Sequence, residues 1–185
     1  MKHVLVALVV VAAAAGAGHA QTQPSGALIF VADLQGRFVA PAAVETTASA
    51  KATGVLVGNR FTVHGSFTGL SSALRDAVKT PNDPGVHLHR GAPGLTMPYF
   101  HGLQVKLNAD ERSGIFYGVA SLTDEQKKAL LAAEAYVDIH TVKFGPGEVR
   151  DQWRPADPEA AAKRLVSTGR PASVINTLCH SLPKP

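Results

Sequence analysis

The run "RFTVHGSFTGL" alternates strictly. Phe61, Val63, Gly65 and Phe67 share one face of an extended chain, and Thr62, His64, Ser66 and Thr68 share the other. Successive side chains of a β-strand point to opposite sides of its sheet, so a period of two marks a half-buried strand. Strand patterns recur along the chain. "ALIFVADLQG", Ala27 to Gly36, reads as a first strand closed by glycine. Ala48 to Leu70 reads as a hairpin that turns at Gly58 and Asn59. Val86 to His89 is a short strand. Leu103 to Leu122 is a second hairpin turning through Asn108 to Gly114, and Ala135 to Trp153 a third with Pro146 and Gly147 at its turn. Many short strands divided by glycine-rich turns predict an all-β fold, an antiparallel Greek-key sandwich or barrel.

One segment breaks the period. "LTDEQKKALLAAE" opens on Thr123 with Gln126 three residues later, the pattern of a reciprocal helix cap, and continues in good helix formers. It predicts one short helix. "SSALRDAVKTPNDPG" and "RGAPGLTMPYFHG" read as loops, the first with room for one helical turn. The last segment, 154–185, reads as a tail, part helical over "DPEAAAKRLVS".

The first 20 residues, "MKHVLVALVVVAAAAGAGHA", place one lysine before an apolar run that ends in small residues. This predicts a secretory signal peptide cleaved after Ala20, and a mature chain that is periplasmic or extracellular, with no membrane span of its own. The destination is oxidising, yet Cys179 is the single cysteine, so no disulfide can form within the chain. Stability has to come from a core, with or without a metal. The formal charge of +4 is spread along the sequence with no basic run. That excludes nucleic acid as the expected partner.

Histidine is the chemically informative residue. Beyond Ala20 stand His64, His87, His89, His101, His140 and His180. In "VHLH", His87 and His89 project to one side of a strand with Cβ atoms about 6.5–7 Å apart. Two imidazoles at that spacing can converge on one ion, each bonding at about 2.0 Å. In "YVDIH", His140 shares a face with Tyr136 and Asp138. If the two strands are neighbours, a three-nitrogen site results, of a kind that suits copper or zinc. Paired histidines also occur on solvated strand faces, so the spacing alone leaves both readings open.

Other residues carry smaller expectations. Asp138 can accept a proton from a ligand imidazole and set its tautomer. Arg150 is expected in an ion pair with Glu148, Asp138 or Asp151. His64 is expected to face solvent. Met97 is either a thioether ligand or packing. Tyr99 and Phe100 are expected to cover the site or the end of the fold. Trp153 is expected in the core. There is no G-x-S-x-G, H-E-x-x-H or phosphate loop, and no carboxylate pair in an acid/base setting.

Together, "FVADLQGRFVAPAAVETTASAKATGVLVG", "FTVHGSFTGLSS", "VHLHRGAPG" and "SGIFYGVASLTDEQKKALLAAEAYVDIHTVKFGPGEVRDQW" resemble the chordin-type CHRD domain, in order and over Ala27 to Trp153. The H-x-H-x-G-x-x-G and Y-V-x-I-H-T…G-E-x-R motifs carry the likeness. It implies an extracellular module with an immunoglobulin-like β-barrel, and a faint similarity to Cu/Zn superoxide dismutases. Carried over by position, that similarity makes His87, His89 and His140 copper ligands and His101 a candidate bridging histidine. The zinc loop and disulfide pair of the dismutases are missing, which puts dismutase-like catalysis in doubt. The expectation is an exported CHRD-domain protein holding a transition metal, copper before zinc, through His87, His89, His140 and His101. The alternative is a non-catalytic adhesion or protein-interaction module whose histidines are structural.

Overall fold

The computed structural model describes residues 26–75 and 85–156. The segment expected to be a signal peptide, Cys179, His180 and most of the tail lie outside the described residues. Among the described residues, ten strands and one α-helix make up the fold: β1 (Leu28–Gln35), β2 (Ser49–Val57), β3 (Arg60–Thr68), β4 (Val86–Arg90), β5 (Tyr99–Gly102), β6 (Gln104–Leu107), β7 (Gly114–Ser121), α1 (Asp124–Leu131), β8 (Ala135–Ile139), β9 (Val149–Gln152) and β10 (Arg154–Ala156). All pairings are antiparallel. The strands follow the order β5-β4-β8-β9-β1-β2-β3-β7-β6, with β10 paired to β1. The sheet curls almost into a closed barrel, the all-β architecture with one short helix that the patterning predicts.

The two ends of this path are consecutive in the chain. β5 runs into β6 through Leu103 alone, so the seam is bridged by covalent bonds rather than by a ladder. Leu103 is fully buried there, and its N–H donates to Val86 O at 2.8 Å.

The core follows from the alternation. Phe61, Val63 and Phe67 point inward with Phe30, Phe116 and Trp153. Phe61 meets Phe30 and Trp153 edge-on at 5.9 and 5.2 Å. Two glycines let aromatic rings lie flat on the sheet. A Cβ on Gly54 would stand 2.2 Å from the Phe61 ring, and one on Gly65 2.1 Å from the Phe116 ring. Helix α1 has the expected cap: Thr123 Oγ1 accepts from Gln126 N, and Gln126 Oε1 accepts from Thr123 N.

Buried carboxylates tie the loops to the barrel. Glu148 is fully buried, and its Oε1 accepts from Thr46 Oγ1 (2.7 Å) and Ser71 N (2.9 Å) while Oε2 accepts from Thr141 Oγ1 (2.8 Å). Three connections therefore meet on one side chain. Asp151 Oδ2 accepts from Asp33 N at 2.7 Å, between the stretches where β1 pairs with β10 and with β9. Arg154 neutralises it at 2.8 Å.

Four expectations need correction. The segment 99–102, read as loop, is strand β5. His64, expected in solvent, is buried, because its strand is flanked on both sides and it sits between Thr53 and Tyr117 in register. Arg150 forms none of the expected ion pairs among the described residues. Glu148 and Asp151 are bonded elsewhere, and the guanidinium lies 3.4 Å above the Tyr136 ring with Nη2 donating to Gln152 Oε1. The tail segment also begins in strand, as β10.

Candidate metal centre

Strands β4 and β8 alternate polar and apolar residues, yet both of their faces are covered. Val86, Leu88, Val137 and Ile139 enter the core. The polar face is roofed by the segments that follow each strand. Register places His87 opposite Asp138 and His89 opposite Tyr136. On the far side of β8, Asp138 is opposite Arg150. His140 follows the last residue of β8 and returns to the face of Asp138, two residues earlier.

The result is a cluster of His87, His89, Asp138 and His140 whose potential ligand atoms all lie within 4.8 Å of one another. The four are only 3, 5, 4 and 8 % exposed. Oδ1 of Asp138 is 3.0 Å from Nε2 of His89, 3.0 Å from Nε2 of His140 and 4.0 Å from Nδ1 of His87. The contact with His89 is an aligned hydrogen bond. The contact with His140 is at ion-pair distance but is not a hydrogen bond, and that buried Nε2 has no hydrogen-bond partner.

The opposite ring edges are anchored. His89 Nδ1 is 2.7 Å from Met97 O, and His140 Nδ1 is 2.7 Å from Gly145 O. Gly145 O also accepts from Arg75 Nη1 at 2.6 Å. Each carbonyl is an acceptor only, so each Nδ1 carries its proton. Flat faces are held too. Tyr136 stacks on His89 at 4.4 Å and 6°, and Tyr99 on His87 at 4.4 Å and 14°. Tyr136 is itself fixed, since its hydroxyl donates to Met97 O and accepts from Met97 N. The protein supplies these rings with the second layer of contacts that orients metal-binding imidazoles.

The electrostatics are those of a buried carboxylate among imidazoles. Burial alone would push the Asp138 carboxyl up, but contacts from His140 and His89 outweigh it and hold the group well below the usual carboxylate range. Burial pulls His140 down, and Asp138 more than reverses this, leaving the imidazole above its ordinary value. Burial pushes the Tyr136 hydroxyl up, and the Asp138 charge adds to that.

The structure brings together His87, His89 and His140 but not His101. That residue pairs in register with Leu88, outside the cluster, and burial lowers its imidazole. Met97 takes part through its backbone carbonyl, while its side chain packs on Gly91. Asp138, expected to set the tautomer of a neighbouring imidazole, has its carboxylate within the cluster itself. The signal was present, since Asp138 and His140 share a face of "YVDIH" and the H-x-H needs a counter-charge once buried.

A CHRD domain family model matches residues 30–153. No curated protein and no solved structure matches the chain significantly. The match spans the described barrel and contains all four residues of the cluster, and the chain belongs to the CHRD domain family.

Proposed function

We propose that this protein is an exported CHRD domain that holds one divalent transition-metal ion through Nε2 of His89, Nε2 of His140, a ring nitrogen of His87 and the carboxylate of Asp138. The observation that carries the reading is the direction of the two Nε2 atoms. With each Nδ1–H donating to a carbonyl, a neutral imidazole turns a bare lone pair toward Asp138 and its neighbours. That arrangement is repulsive unless a proton or a cation lies between.

Charge supports a divalent ion. The cluster sets one carboxylate, held in its charged form, among three imidazoles, so a divalent ion would leave the buried site with a single positive charge. Size supports it as well. Ligand atoms about 2.0–2.1 Å from a tetrahedral ion stand about 3.4 Å apart, so the cluster needs a contraction that side-chain rotation can supply. Three imidazoles and a carboxylate favour copper(II), then zinc, over the softer copper(I). With four protein donors and no open position, the site suits holding or delivering an ion better than turning over a substrate.

An N-terminal secretory pattern and a domain type found in extracellular proteins support export. Among the described residues, no helix is long and apolar enough to cross a membrane.

Calorimetric titration with copper(II) and zinc, on the wild type and on His87→Ala and His140→Ala, tests the reading. One ion per chain, lost in both variants, is the expected result. Equal heats in wild type and variants would overturn it. A stable wild-type fold that takes up neither ion would favour the interaction module, in which these histidines only pin the loops at Met97 and Gly145.

A further inference from the structure

The four residues of the cluster are buried, so an ion needs a way in. Among the described residues, one ring separates it from solvent on the β5 side. Tyr99 lies with one face stacked on His87 at 4.4 Å and its edge toward His89 at 6.2 Å and 73°, and it is 45 % exposed. The cover there is one aromatic ring thick.

The strand that carries Tyr99 is suited to move. β5 is four residues long and, among the described residues, pairs only with β4. Its ladder shifts register between Leu88 and His89, next to the Tyr99 pairing, so the hydrogen-bonding that would hold Tyr99 is already interrupted. Its hydroxyl makes none of the hydrogen bonds that fix Tyr136. The two stacked tyrosines thus differ in kind. Tyr136 is buried and clamped at both ends, and Tyr99 is held mainly by stacking.

We propose that Tyr99 is the gate of the histidine cluster, admitting a hydrated metal ion by swinging off His87 and closing over it afterwards. The proposal rests on the reading of the cluster as an ion site. It assigns Tyr99 a role in rate rather than in affinity, because its ring contacts a ligand without supplying one.

The test compares wild type, Tyr99→Ala and Tyr99→Phe by two readouts. The first needs no metal. Diethyl pyrocarbonate acylates accessible imidazole nitrogens, and mass spectrometry gives a rate for each histidine. Tyr99→Ala is expected to speed modification of His87 and His89 by about tenfold, the population change for losing one stacked ring pair, with His64 unchanged. The second is stopped-flow zinc uptake and chelator-driven release. Both rates are expected to rise by a similar factor in Tyr99→Ala, leaving the equilibrium constant within about twofold, since a gate changes barriers and not end states. Tyr99→Phe, which keeps the ring, is expected to match wild type throughout.

Unchanged His87 and His89 modification in Tyr99→Ala would overturn the gate. So would an equal rise at His64, which would mean general loosening, or weaker zinc binding with no faster uptake, which would make Tyr99 a positioning residue. Faster modification in a protein that binds no zinc would uphold Tyr99 as the cover of the cluster and sink the metal reading alone.

Discussion

Oδ1 of Asp138 lies 3.0 Å from Nε2 of His140, two residues further along the chain. A strand residue and the first residue past the strand end thus return to one face. The pair is buried, and it sets a carboxylate against an imidazole that titrates above its ordinary value at the centre of the histidine cluster.

The four cluster residues are expected to act as a unit. Replacing His89 or His140 by Ala, or Asp138 by Asn, should weaken ion binding by more than about 100-fold, beyond the usual effect of groups that only orient ligands. Arg150→Met should cost much less, because it removes a stacked neighbour of Tyr136 and no ligand. Competition against a chromogenic chelator measures both.

Ion uptake should release protons. In the ion-free cluster His140 Nε2 lies 3.0 Å from Asp138 and its imidazole titrates above its ordinary value, so a bound ion displaces its proton. Release is expected at mildly acidic pH and falls as pH rises. Calorimetry in buffers of different ionisation enthalpy counts them.

Stability of the ion-free protein should depend on pH in a defined direction. His140 titrates above its ordinary value, so its contribution is complete below about pH 6.5 and fades as pH rises through its folded value. Asp138 titrates below its ordinary value, so its contribution is present above about pH 3.9 and fades only on further acidification. The pair helps most between those limits. Urea midpoints from pH 4 to 8 should fall toward the alkaline end, and Asp138→Asn should flatten that slope.

Glu148→Ala should destabilise the barrel by about 3 kcal/mol or more, because it strands Thr46, Ser71 and Thr141 donors in a buried place. Chemical denaturation reads the loss directly. Glu148→Gln should lose less, since its carbonyl oxygen still accepts.

Gly65→Ala should cost about 1–3 kcal/mol through overpacking, because the new methyl must displace the Phe116 ring from a site buried on all sides. Gly58→Ala, which meets open space but sits at φ +59°, should cost less and act through backbone strain. Thermal midpoints separate the two.

The parts of this fold legible in the sequence are those governed by local periodicity. Phe61 to Phe67 announced a strand and its inward face, and Thr123 with Gln126 announced the helix start. The H-x-H and His140 were legible as candidates because strand spacing fixes which side chains share a face. What eluded local pattern depends on partners far away in the chain. β5 was read as loop because its pairing is with the "VHLH" strand alone and carries a bulge. His64 sat on a polar face that neighbouring strands enclose. Arg150 found an aromatic ring instead of a carboxylate because Glu148 and Asp151 were already engaged, by residues up to 118 positions away.

The seam at Leu103 bears on how copies of this protein meet one another. An open sheet of this size would expose two long flanks of unpaired amides, each a template for a foreign strand. Here both flanks belong to the single stretch 99–107, bent at a buried leucine, and each is only four residues long. A neighbouring chain that tried to add a strand would find too little ladder to hold. That bend protects the fold against edge-to-edge aggregation.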